Sequence, residues 1–185
     1  MSSNSMGTNI ANAFKVVSET CENVNRLLSF LNQWARENDE YIPHTVKPLV
    51  RLRGDYNDEY VLVFQKKKDK KSLYVVDICL WNNETESEEP KVYISKYEYV
   101  KALNLNQYPI SKGDFYQFSD PLCDDVTNFE YEDDFYSGTV KENIQAEDEY
   151  RGLHRVAGFS IPLVNINVDN AEEKVFGGFH LLVDK

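Results

Sequence analysis

Apolar residues recur at alternating spacings of four and three from Ile10 through Phe14, Val17, Cys21, Val24, Leu28 and Leu31 to Ala35. This is the seam of an α-helix held over about four heptads. Ala13, Leu27 and Trp34 widen it on one side. Thr8 or Asn9 is placed to cap the first turn, and Asn38-Asp39 closes the last, which leaves residues 1–9 as a flexible leader. At 1.5 Å per residue the helix runs about 43 Å, long for the face of one small sheet. The broad stripe is expected to pack on a sheet, and the far end is a candidate for pairing with a second copy.

Period-two alternation follows. Val46, Val50 and Leu52 alternate with Lys47, Arg51 and Arg53, a strand with a basic outer face, begun or edged by Pro48. Gly54–Asp58 turns the chain into a short apolar strand, Tyr60–Gln65. The lysine-rich tip 66–71 leads to a longer strand, Ser72–Trp81, and then to an acidic loop, Asn82–Pro90. Val92–Ile94 reads as a brief strand. Ser95-Lys96-Tyr97-Glu98 has the spacing of a capping box, predicting a short helix to about Leu103. Phe115–Ser119 is expected as a strand. From Asp120 to Tyr150 acids interleave with aromatics without regular period, a long loop of the kind that closes over ligands.

The chain closes on the clearest alternation. Ala157, Phe159, Ile161 and Leu163 form one strand, which changes parity near Pro162 through a bulge and continues to Val168. After the polar loop 169–173, Val175, Gly177, Phe179, Leu181 and Val183 form a second, antiparallel strand. The run Ser160, Pro162, Leu163, then Phe176, Gly177 and Leu181, resembles the last two strands of GAF domains. It covers about a fifth of the chain. The resemblance implies a sensory module whose variable segment, here 120–150, closes over a small molecule. Neither the clustered cysteines of the methionine-sulfoxide-reducing GAF family nor the Asn-Lys-x-x-x-Asp-type signature of the cyclic-nucleotide binders is present.

Composition narrows the partners. The formal charge of −11 and pI near 4.7 disfavour nucleic acid and anionic membranes, both of which need a basic surface. Residues 1–9 lack the apolar core of a signal peptide. Cys21, Cys79 and Cys123, odd in number and far apart, suit reduced thiols in a cytoplasmic protein. Cys21 and Cys79 read as core, and Cys123 lies among acids that disfavour a thiolate. The three histidines, His44, His154 and His180, are scattered, so no metal site is expected. No phosphate-binding or dinucleotide motif points to a cofactor.

The expected fold is α+β: a single GAF- or PAS-like domain over residues 10–185, with a mostly antiparallel sheet and the long helix on one face. The expected function is a non-enzymatic sensory or regulatory domain taking a small ligand or a protein partner. Candidate ligand-binding residues are Arg155, Arg151, Phe129, Tyr131, Phe135, Tyr136 and Gly177. Arg155 is favoured as the polar anchor because Ala157, Phe159 and Ile161 share its parity; pairing with Glu147 or Asp148 is the competing role. The alternative function is an acidic inhibitor that imitates nucleic acid and blocks a basic protein. Catalytic use of the carboxylates would require a geometry that sequence does not give.

Overall fold

The computed structural model describes residues 3–53, 56–80, 89–107, 109–132, 134–145 and 150–183. Helix α1 spans Ser3–Glu37. The strands are β1 (Tyr41–Pro43), β2 (Leu49–Arg53), β3 (Tyr56–Lys66), β4 (Ser72–Cys79), β5 (Lys91–Tyr99), β6 (Thr127–Glu132), β7 (Phe135–Val140) and β8 (Leu153–Pro162). They form one antiparallel sheet in the order β1-β3-β4-β5-β8-β7-β6, with β2 pairing the same edge of β3 as β1. The α+β class and the packing of the long helix on one face agree with the sequence reading.

Alternation along the central strands makes two cores. Tyr60, Leu62 and Phe64 of β3, with Tyr74, Val76 and Ile78 of β4, face the lower half of α1, where Val24, Leu28, Leu31 and Ala35 are buried. Val61, Val63, Leu73, Val75, Tyr97 and Val156 face the other way. That second core is covered by the short helix α2 (Tyr116–Ser119) and its neighbouring turns, and reaches toward α3 (Glu142–Gln145).

Several expectations are corrected. Residues 3–9 are helical, not a flexible leader: once the lower turns are fixed by the core, propagation costs little per residue. Ser95 does not cap a helix. Its strand β5 is paired on both sides, by β4 and β8, and its hydroxyl is 2.7 Å from that of Tyr136. Ladder pairing along both edges of a central strand outweighs one capping box, so tertiary pairing overrides the local signal. Phe115–Ser119 is helical because Phe115 and Phe118, three apart, are both buried in the second core. The stretch 120–150 is no structureless lid, since β6 and β7 form a hairpin within it.

The C-terminal change is the largest. β8 stops at Pro162, and Leu163–Asn165 is a 3-10 turn. The segment then runs as π-helix from Glu172 to Gly177 and as α4 from Gly178 to Leu181. Of the residues that resemble a GAF strand pair, Phe176, Gly177 and Leu181 are therefore helical and Leu163 lies in a turn. Val175, Phe176, Phe179 and Leu182 are all buried at spacings of one and three, whereas Leu181 and Val183, on the expected strand face, are exposed. The two adjacent glycines behave differently. A Cβ on Gly178 would meet Phe159 at 2.6 Å, while one on Gly177 would meet nothing within 4 Å. Gly177→Ala is expected to stabilise by about 0.5–1 kcal/mol through helix propensity, and Gly178→Ala to cost about 1–3 kcal/mol through overpacking. Urea titration of the two variants checks this; an equal effect at both sites would contradict the helix.

Candidate functional site

A cleft of about 280 Å³ opens between the β6–β7 hairpin, β8 and the end of α4, lined by Glu130, Tyr131, Glu132, Phe135, Arg155 and Leu182 among others. The register explains the gathering. Phe135 pairs with Phe159, Ser137 with Ala157 and Thr139 with Arg155, so these side chains share the helix-side face of the sheet. Glu130 lies opposite Ser137 and Glu132 opposite Phe135, which sets both carboxylates on that face. Phe135 packs on Phe159 with ring centroids 5.2 Å apart.

Arg155 is tied to the core of the molecule by a short ionic chain. Its Nη1 lies 3.1 Å from Glu98 Oε2, and Lys96 Nζ lies 2.8 Å from Glu98 Oε1. Lys96 also donates to the Val183 carbonyl at 3.3 Å. Burial alone would raise the Glu98 carboxyl, but hydrogen bonds from Lys96 and Arg155, and their charges, outweigh it and hold it below its ordinary value. The partner of Arg155 among the described residues is thus Glu98; Glu147 and Asp148 lie outside them.

Of the seven candidate residues, the fold brings four to this cleft: Arg155, Tyr131, Phe135 and Tyr136. The hydroxyl of Tyr136 is committed to Ser95 on the other face. Phe129 packs on Tyr136 against the second core, centroids 5.4 Å apart. Arg151 precedes β8 in a turn, with φ of 53°, and pairs with Asp114 at 3.6 Å, so strand parity does not place it beside Arg155. Gly177 belongs to the C-terminal helix and is not among the cleft residues. The lysine tip is partly neutralised, Lys66 by Glu40 at 2.8 Å and Lys67 by Asp39.

No protein-family model, curated protein or solved structure matches the chain. The reading of the site therefore rests on its own geometry.

A second polar group escaped the sequence reading. Arg51, expected on an outer face, points inward, with Nε 3.1 Å from Asp58 Oδ1 and Nη2 2.9 Å from Glu59 Oε2. Glu59 is hydrogen-bonded to Asp77, and both are almost fully buried, 5 % and 3 % exposed. Burial, first, and the mutual repulsion of the two carboxyls push Asp77 well above its ordinary value; burial likewise raises Glu59. One proton shared by the pair joins the two carboxyls, while Oδ1 of Asp77 is buried without a hydrogen-bond partner among the described residues. The signal was a lone acid inside the apolar run Val75-Val76-Asp77-Ile78. The turns over this face close it: Tyr97 donates to the Phe118 carbonyl at 2.5 Å. Among the described residues no three His, Cys, Asp or Glu gather as a metal-binding set, and no helix is long and apolar enough to cross a membrane.

Acids also gather around the hairpin: Asp124 and Asp125 just before β6, Glu130 and Glu132 on it and Asp134 in its turn are exposed, and β6 ends the strand order. Charges there discourage edge-to-edge pairing with another sheet. Asp133 lies outside the described residues.

Proposed function

We propose that the chain is a non-enzymatic sensory or regulatory domain that works in the cytoplasm and takes a small zwitterion of amino-acid size in the β6–β8 cleft. The observation that carries this reading is the meeting of Arg155 with Glu130 and Glu132 around a partly apolar cleft of about 280 Å³. One cation and two carboxylates do not favour a simple anion. They suit a ligand with a carboxylate for the guanidinium fork and an ammonium for the glutamates, its apolar part resting on Phe135 and Leu182. A carboxylate arriving at Arg155 competes with Glu98. Loosening that pair also loosens Lys96 and, through it, the Val183 carbonyl, so occupancy is transmitted to the C-terminal segment.

A thermal-shift panel of amino acids, organic acids and nucleotides tests the proposal. An amino acid at a hundredfold excess over its Kd is expected to stabilise by about 2.7 kcal/mol, and an organic acid lacking the ammonium to bind more weakly. Arg155→Ala should remove the shift while the protein stays folded. A panel without any shift, or a shift that survives Arg155→Ala, would sink the assignment. The other reading, an acidic inhibitor of a basic protein, draws on the edge carboxylates instead, and would appear as binding to a basic protein that Arg155→Ala leaves intact.

A further inference from the structure

The β6–β8 cleft exists because the side-chain grid of the sheet is low at one point. On the helix-side face three rows cross β6, β7 and β8: Asn128, Thr139 and Arg155; then Glu130, Ser137 and Ala157; then Glu132, Phe135 and Phe159. The middle row carries small residues on β7 and β8, between Arg155 on one side and the packed Phe135 and Phe159 rings on the other. Leu182 adds an apolar wall from the end of α4. The two glutamates stand in different rows. Glu130 is one row from Arg155 and Glu132 is two, beside Phe135, so about 7 Å of strand separates them.

We propose, resting on the zwitterion reading of the same site, that its ligand is a basic amino acid with a side chain of lysine or ornithine length. The ligand carboxylate lies on Arg155, its α-ammonium on Glu130 and its terminal ammonium on Glu132. The methylenes between the two nitrogens span the step from one glutamate to the next and rest on Phe135 and Leu182. A carboxylate has acceptor sites for about four donors, so Glu132 takes the ammonium in addition to the interaction it already makes.

Charge selects this class over a neutral amino acid. Lys96 and Arg155 share Glu98; with Glu130 and Glu132 added, two cations face three carboxylates and one negative charge is left over. A neutral zwitterion leaves that charge in place, and one more ammonium cancels it. Both glutamates are exposed, so an ammonium reaches them without the burial of a lone carboxylate. The field of a chain of −11 raises the local concentration of cations. Volume sets the size. The cleft, at about 280 Å³, falls just below the usual range of ligand pockets, about 300–1,000 Å³, which admits one amino acid and not a peptide or a nucleotide. A diamine would serve both glutamates but make no contact with Arg155, and is expected to bind more weakly.

Calorimetric titration of the full chain with three probes separates the contacts: L-lysine, L-norleucine, which lacks the terminal ammonium, and cadaverine, which lacks the carboxylate. Lysine is expected to bind about fivefold more tightly than norleucine, the worth of a good exposed ion pair. Glu132→Gln should bring that preference close to one, and the exposed position keeps the variant folded. Arg155→Ala should weaken lysine and norleucine without weakening cadaverine. A wild-type preference below about twofold, or a full preference that survives Glu132→Gln, overturns the basic-ligand assignment while zwitterion binding stands. Binding by no amino acid, or lysine binding untouched by Arg155→Ala, overturns the zwitterion reading and this assignment with it.

Discussion

Phe176→Ala is expected to destabilise the protein by about 3–5 kcal/mol, the range for removing a fully packed aromatic ring. Phe176 is 1 % exposed. Its ring stacks on Trp34 of α1 at 3.8 Å and meets Tyr41, Phe64 and Phe179 at 5.5–5.6 Å. It thus joins the long helix, the first strand, the sheet and the C-terminal helix at one point. Deleting it leaves a cavity that four rigid rings cannot collapse to fill. The loss is measurable by urea unfolding followed through tryptophan emission, which should also move to the red as Trp34 loses its cover. A change below about 1 kcal/mol would mean that the C-terminal helix contributes little to the core.

The same residue shows why the C-terminus was misread. Val175, Gly177, Phe179, Leu181 and Val183 alternate perfectly, and a strand was the natural reading. Val175, Phe176, Phe179 and Leu182 fit a helical face equally well. Period alone does not separate the two in a short apolar run. What decides is a partner: Trp34, Tyr41, Phe64 and Tyr74 present an aromatic surface that accepts Phe176 and Phe179 together. That surface is assembled from four distant segments and has no local trace. β3 and β4 were legible for the opposite reason, since each carries a sustained apolar run bounded by turns with glycine, asparagine or lysine; on β2 the strand was legible but its faces were not, for Val46 and Leu52 are exposed and Leu49 is buried.

The candidate cleft was half legible. Parity along β8 correctly aligned Arg155 with Ala157 and Phe159. It could not supply Glu98, fifty-seven residues away in sequence, or show that Arg151 leaves the strand in a left-handed turn. Type alone gives Tyr131 and Phe135 no register; pairing with Phe159 sets Phe135 on the face of Arg155, whereas pairing with Tyr136 gives Tyr131 the parity of the opposite face, so that it only borders the cleft. Arg51 illustrates the reverse error. Alternation put it outside, but a register shift between Arg51 and Leu52, together with two buried acids on β3, makes the inner side its favourable place.

That inner network has a pH signature. Arg51→Gln removes the cation that serves Asp58 and Glu59. Breaking a fully buried pair costs about 3–5 kcal/mol; because the Arg51 side chain is about a third exposed, about 2–3 kcal/mol is expected at pH 7. Asp77 behaves in the opposite sense. Its folded-state pKa lies above the unfolded value of 3.8, so above about pH 4 the folded chain keeps a proton that the unfolded chain has released. Stability from this group is therefore greatest on the acid side and declines as pH rises from the unfolded toward the folded value. Asp77→Asn ends that dependence: the amide donates to Glu59 without holding a titrating proton. The variant should be as stable as wild type or more so at pH 7, with a flatter profile between pH 4 and 7. The penalty of Arg51→Gln should shrink over the same interval as pH falls, because protonated carboxyls need no guanidinium. Denaturant midpoints of both variants at pH 4.5 and 7 give the comparison. If Asp77→Asn were less stable than wild type at pH 7 and equal to it at pH 4.5, Asp77 would be ionised in the folded protein and the shared proton would be excluded.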